Sequence, residues 1–361
     1  MLNILKAFYE RFEKYISPVA LISGFTFDYF TLKRVDFLFD NLLIIFYLIF
    51  AGASIVLINL FETNRGRNKF VENIYEFLPL FVQFSFGGLF SAFVIFYSKS
   101  ASLFTSGAFI LILAIFLIGN EFFKKRYSKL VFQVGVYFVA ISSFSIYFLP
   151  VLIKKMGAPI FLLSGVISLI LISIFIFIIN RLIPERQDER GKLSGLVVLG
   201  LYISINILYF TNVIPPIPLS LKTADVFHNV ERQVDGNYLV FGEYSNVWRE
   251  KFSLSQKIHL ISGEPVYVFS SIFAPTDLRI GLVHNWQYFD EDKGEWISAG
   301  KITFPIKGGR SEGYRGFSKK ENVFEGEWRV DIETERGQVI GRVRFDIYIG
   351  GATQELESKI I

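Results

Sequence analysis

The residues best suited to chemistry lie in the last third of the chain: His284, Trp286, Arg310 and Tyr314. His284 and Trp286 alternate with Asn285, so on an extended strand they project from one face. Joined by Arg310 and Tyr314 from the Gly-, Arg- and Lys-rich stretch Lys307 to Lys320, they would make a polar and aromatic contact for a ligand. An anion such as phosphate or a sugar acid suits that basic stretch. The alternative is structural: Leu282 and Tyr288 share the face, which then reads as core, with Trp286 and Trp328 as packing residues and His284 hydrogen-bonded and semi-buried. The stretch 307–320 is equally well read as a solvated loop.

Catalytic patterns are missing. There is no GxSxG, and no Walker or dinucleotide-binding pattern. With no cysteine, thiolate chemistry, disulfides and Cys-ligated metals are excluded. Of three histidines, His228 and His259 fall in separate segments, so no metal set can be assembled from spacing. No catalytic residue, metal or cofactor is expected.

The elements that position these residues read as strands. In Ile280 to Tyr288 one face carries Ile280, Leu282, His284, Trp286 and Tyr288, and the other Gly281, Val283, Asn285 and Gln287. In Gln338 to Ile349, Val343, Phe345, Ile347 and Ile349 oppose Arg342, Arg344, Asp346 and Tyr348; near Trp328, Val330 and Ile332 oppose Arg329, Asp331 and Glu333. Further strands are expected over 238–244, 257–261, 265–273 and 296–304, separated by turns such as Asp235-Gly236 and Gly308-Gly309. Seven short strands predict an all-β immunoglobulin-like sandwich over 226–352, with a tail over 353–361.

Ahead of it the chain changes character. With 361 residues, 52% hydrophobic and 17% aromatic, and a mean hydropathy of +0.43, it is too apolar for an ordinary soluble enzyme. Apolar runs at 16–32, 40–60, 77–97, 102–120, 130–152, 159–180 and 194–213 predict an all-α transmembrane bundle of about seven spans over 16–213. The first run is the weakest, being interrupted by Gly24 and Asp28. Residues 1–15 read as an interfacial amphipathic helix, and 214–225 as a stiff Pro-rich joint. All four Trp lie beyond that joint.

Positive charge sets the orientation. The gaps on one side carry fourteen Lys and Arg, among them Lys124, Lys125, Arg126 and Lys129, against five on the other. The amino terminus is therefore expected in the cytoplasm and the β domain outside the membrane, in the periplasm of a Gram-negative cell. Within the bundle Asp28 and Gln83 are the polar residues to weigh for a transport path. Gln83, Gln133 and Asn206 are better placed for hydrogen bonds between helices, and Gly87, Gly88, Gly135 and Gly165 for close packing, so the structural reading is preferred to a transport path.

The carboxy-terminal residues resemble a bacterial domain of unknown function, DUF2914. The resemblance is carried by His284-Asn-Trp286, Gly309-Arg310, Gly313 to Lys319, Gly326-Glu-Trp328-Arg329-Val330 and Gly337 leading to Phe345. The full layout is similar to uncharacterised multi-pass membrane proteins ending in that domain, and no activity comes with it. The expectation is a bacterial inner-membrane protein whose external β domain binds an envelope protein or glycan. A transporter or sensor working through the bundle is one alternative, and an enzyme on lipid or cell-wall precursors another. The bilayer is an expected partner, and nucleic acid is not, since the net charge of +4 comes from loops.

Overall fold

A computed structural model describes residues 22–32, 34–63, 69–100, 103–122, 130–183, 190–243, 255–308, 313–350 and 356–361. The expected interfacial helix at 1–15 and the loop residue Arg310 lie outside them. The chain divides into a helical unit and a β-rich unit, with the boundary between Ile214 and Pro215.

The described helices of the first unit are α1 (22–31), α2 (Leu38–Thr63), α3 (Lys69–Lys99), α4 (Leu103–Phe122), α5 (Leu130–Ile153), α6 (Ala158–Leu182) and α7 (Arg190–Phe210). Each overlays one apolar run of the sequence. Among the described residues, five are long and apolar enough to cross a membrane: α2, α5, α6, and most of α3 and α7. A run of apolar residues with few breakers satisfies every backbone group internally as a helix, which is why hydropathy alone locates these elements.

Burial separates their roles. The apolar window of α5 is 72% buried and contacts α2, α3, α6 and α7, whereas that of α7 is 17% buried. Close approach is made by small residues and aromatic rings. A Cβ on Gly88 would meet Tyr47 at 2.7 Å, and one on Gly165 would meet Tyr202 at 2.8 Å. Gly135 faces Val197, and Gly52, not singled out in the sequence, faces the Tyr137 hydroxyl. Phe161 of α6 stacks on Tyr209 of α7 with centroids 3.6 Å apart.

Polar contacts cross the buried interior: Tyr97 donates to Ser143 O at 2.9 Å, Tyr137 donates to Leu48 O at 3.2 Å, and a pair of side-chain amides meets between α2 and α5. Asn59 of α2 donates to Gln133 Oε1 of α5 at 2.6 Å and to its own Ile55 carbonyl at 2.8 Å, and both amides are fully buried. Gln133 thus takes the interhelical role expected of it. Asn206 does not: its amide donates to Tyr202 O one turn back, so it is satisfied within α7. Asp28 and Gln83 are half-buried on α1 and α3.

The second unit holds eleven described strands: β1 (Ser220–Phe227), β2 (Asn229–Arg232), β3 (Tyr238–Glu243), β4 (Gln256–Leu260), β5 (Val266–Phe273), β6 (Arg279–Asp290), β7 (Glu295–Lys307), β8 (Tyr314–Lys320), β9 (Gly326–Thr334), β10 (Val339–Ile349) and β11 (Leu356–Ile360). They form sheets ordered β1-β5-β8, β4-β10-β9-β6-β7 and β11-β3-β2. All seven strands expected from alternation are present, and four more join them. Part of the stretch read as a basic loop is strand β8, paired antiparallel with β5. Its Gly and Lys content masked the pattern, because pairing and burial of Ser318 and Phe317 decide its conformation rather than propensity.

The Pro-rich stretch departs from the stiff extended path expected of it. Residues 214–220 are buried, and the chain turns twice, with Ile217 N donating to Pro215 O at 2.8 Å and Leu219 N to Pro216 O at 3.0 Å.

Strand β5 is buried on both faces, which explains its unbroken run Val-Tyr-Val-Phe-Ser-Ser-Ile-Phe. On one side Phe269 joins Val230, Tyr238 and Val240 of the small sheet. On the other Ser270 meets β6.

Replacing Gln133 by Leu strands the buried Asn59 amide and should destabilise the helical unit by about 1–2 kcal/mol. The Asn59→Leu, Gln133→Leu double variant should recover most of that loss. Thermal unfolding of the detergent-purified chain, followed by helical circular dichroism, checks both.

Candidate functional site

His284 and Trp286 stand within the core of the β-rich unit, both at 0% exposure. His284 Nε2 lies 2.8 Å from Ser270 Oγ of β5, and Nδ1 lies 2.8 Å from Ser318 Oγ of β8. Trp286 Nε1 donates to the same Ser318 Oγ at 3.0 Å. An indole N–H can only donate, so Ser318 accepts from Trp286, and its hydroxyl, like that of Ser270, can either donate to or accept from the imidazole nitrogen it faces; one donor and one acceptor satisfy a neutral ring in either tautomer. The arrangement closes with a neutral ring, whose pKa burial pushes down to about 3. Phe304 packs edge-on at 4.9 Å. A seryl and a histidyl side chain thus meet here without access to substrate, and the pair is a core contact.

Tyr314 opens β8 opposite Ile272 and lines a shallow cleft of about 540 Å³ with Arg279, Gly281, Pro305 and Lys307. Of the sequence candidates, His284 and Trp286 meet at Ser318 in the core and Tyr314 lines this cleft, while Arg310 lies outside the described residues. Trp328 is also core, 1% exposed, its Nε1 donating to Phe324 O at 2.9 Å.

A more organised polar cluster lies on the opposite face of the same five-stranded sheet, where Asn285, Gln287, Asp331 and Glu333 are buried beneath the half-buried Trp296, Arg329 and Arg342. Antiparallel register sets Asn285 against Asp331, Gln287 against Arg329, and Asp331 against Arg342. A continuous polar row results. Arg342 Nε and Nη2 donate to the two Asp331 oxygens at 2.5 and 2.8 Å, and Gln287 Nε2 reaches Asp331 Oδ2 at 3.5 Å. Arg329 Nε and Nη2 both donate to Gln287 Oε1, at 2.8 and 2.7 Å, and its guanidinium lies 4.3 Å over the Trp296 ring.

A second row runs beside the first. Ser298 donates to Asn285 Oδ1 at 2.9 Å, and Lys301 Nζ lies 3.4 Å from Glu333. Burial raises the Glu333 carboxyl above its ordinary range, against the opposing pull of Lys301. Alternation predicted that Arg329, Asp331, Glu333, Arg342 and Arg344 point away from the core. It could not predict that they interlock with Asn285, Gln287 and Trp296, because register between strands distant in sequence leaves no local signal.

A third constellation joins two histidines that sequence spacing kept apart. His228, between β1 and β2, and His259 of β4 both reach the Glu243 carboxylate of β3, at 3.2 and 2.9 Å. Among the described residues no group of three or more His, Asp or Glu is disposed to hold a metal ion.

The buried neutral ring makes stability sensitive to acid. Below pH 6.5 the unfolded imidazole takes up a proton that the folded one refuses, so stability contributed by His284 is lost as pH falls toward 3, by up to ~1.4 kcal/mol per pH unit. His284→Leu should remove this acid-side slope while costing about 1–3 kcal/mol at neutral pH through the abandoned serine hydroxyls. Trp fluorescence measures it in the full chain, because all four Trp belong to the carboxy-terminal part.

The family described as "Protein of unknown function (DUF2914)" matches residues 281–347, which contain the polar rows and both core Trp. No curated protein matches the chain. Among solved structures, Pseudomonas fluorescens alkylpurine DNA glycosylase AlkC bound to DNA containing an abasic site analog aligns over 87% of this chain and 99% of its own. The identity is 9% and the TM-score 0.22, too low to establish a shared fold. The chain therefore carries a DUF2914 domain at residues 281–347, toward its carboxy terminus.

Proposed function

We propose that this protein is an inner-membrane anchor of about seven spans that displays an immunoglobulin-like β-sandwich outside the membrane, where its outward sheet face binds an envelope saccharide. The observation that carries the reading is the interlocked row Arg342, Asp331, Gln287, Arg329 and Trp296. Asp331 and Gln287, themselves buried, fix the half-buried Arg342 and Arg329, and side chains held in this way lose little entropy when a hydroxyl-rich ligand lies across them. Trp296 adds an aromatic surface beside them, and the balanced charges of the row suit a neutral or weakly charged sugar better than a strong anion. The bias of Lys and Arg toward one set of helix connections supports a cytoplasmic amino terminus and an external β domain, and the long apolar helices support the anchoring. An envelope protein is the competing occupant of the same face.

The test uses the full chain in lipid nanodiscs, titrated with soluble peptidoglycan fragments and surface polysaccharides while Trp fluorescence is recorded. Arg329→Ala and Trp296→Ala should each weaken binding about tenfold or more, equivalent to ~1.4 kcal/mol, with the fold retained by circular dichroism. Equal binding by the variants would remove the face from consideration. Failure of every saccharide to bind the folded protein would reject the sugar reading.

A further inference from the structure

Both ring nitrogens of His228 face carboxylate oxygens. Nδ1 lies 3.1 Å from Glu264 Oε1, and Nε2 lies 3.2 Å from Glu243 Oε1. A neutral imidazole has one N–H, so between two carboxylates its other nitrogen would turn a lone pair toward a negative oxygen. Only the imidazolium satisfies both contacts. The His228 side chain is 6% exposed, which leaves little room for water to mediate.

The contacts draw together separate parts of the chain. Glu243 ends β3 and also accepts from the backbone N–H and Nδ1 of His259 on β4. Glu264 lies in the turn between β4 and β5 and accepts from the Ile261 N–H. On its far side His259 stacks on Tyr348 of β10, centroids 5.2 Å apart, and Lys257 lies over that same ring. Asp225 of β1, bonded to Gln256 of β4, is the neighbouring acid on this edge. His228 thus links the small β11-β3-β2 sheet to the β4–β5 turn, and through Glu243 it is joined to His259 of β4.

We propose that His228 is a proton-operated clasp: as imidazolium it holds Glu243 of the β2–β3 hairpin and Glu264 of the β4–β5 turn together, and its deprotonation releases one of the two carboxylates. Burial works against the charged ring, but the hydrogen bonds and charges of Glu243 and Glu264 outweigh it, so the pKa rises above the ordinary 6.5. A raised folded-state pKa stabilises fully below the unfolded value, and that stability is lost as pH rises through the folded value. Glu243 bounds the window from the acid side. Burial alone would raise its pKa, yet the bonds from His228 and His259 hold the carboxyl below its ordinary range, so its contribution is lost only as pH falls through that lowered value. The clasp is closed between these limits and opens on the alkaline side.

The full chain, purified in detergent with 15N-labelled histidine, tests this directly, because it contains three histidines and His284 stays neutral throughout as a reference. His228 should show two N–H groups at pH 6.5 and titrate above that value. The thermal unfolding temperature, followed by Trp fluorescence, should fall as pH rises above 6.5 in the wild type and lose this dependence in His228→Gln. In Glu264→Gln the side-chain amide can either accept from Nδ1–H or donate to its lone pair, so the neutral ring is tolerated. There the His228 titration should shift downward and the alkaline loss should shrink, with the fold intact. If His228→Gln does not fold, the Glu264→Gln titration decides alone. A single N–H on His228 at pH 6.5, or an alkaline loss equal in the wild type and Glu264→Gln, would overturn the clasp.

Discussion

The packing of β5 and β8 against β6 depends on one buried ring that must stay uncharged. His284 has no water to turn to, so each of its nitrogens needs a partner of fixed position, and the partners come from different strands, Ser270 on β5 and Ser318 on β8. Slipping either strand by one residue would point the serine away and bring its neighbour, Phe269 or Phe317, to the imidazole. The contact therefore specifies register as well as stability, and Trp286, by donating to the same hydroxyl, locks the ring pair into one rotameric arrangement.

The same chemistry with the opposite sign operates at the edge of the unit. His284 is surrounded by hydroxyls and apolar rings, so burial lowers its proton affinity; His228 is flanked by two carboxylates, which raise it. Two histidines of one domain are thus shifted in opposite directions. Neither behaviour follows from residue type, and both follow from the groups within about 3 Å.

Much of this architecture was legible in the sequence, and the exceptions have physical reasons. Hydropathy located the helices because a long apolar run is a one-dimensional signal: length and apolarity suffice. Alternation located β6, β9 and β10 and assigned Leu282, His284, Trp286 and Trp328 to one side, since a half-buried strand writes its two faces into successive residues. Strand β8 was hidden because its pairing with β5, not its composition, makes it a strand. The candidate face was half visible: the outward charges of β9 and β10 were evident, while their bonds to Gln287, Asn285 and Trp296 depend on a register that no local pattern encodes. The meeting of His228 with His259 through Glu243 is of the same kind.

The DUF2914 match begins at Gly281 and so omits β5, although β5 supplies Ser270 to the central ring and is covered on its other face by the small sheet. It also omits β4, the parallel neighbour of β10. A fragment cut at the family boundary would leave the inner face of β6 open to water and His284 free to take up a proton. The segment that descent has kept recognisable is narrower than the segment that must fold together. What surrounds it, from Ser220 onward, belongs to the physical domain even though it carries no family signature.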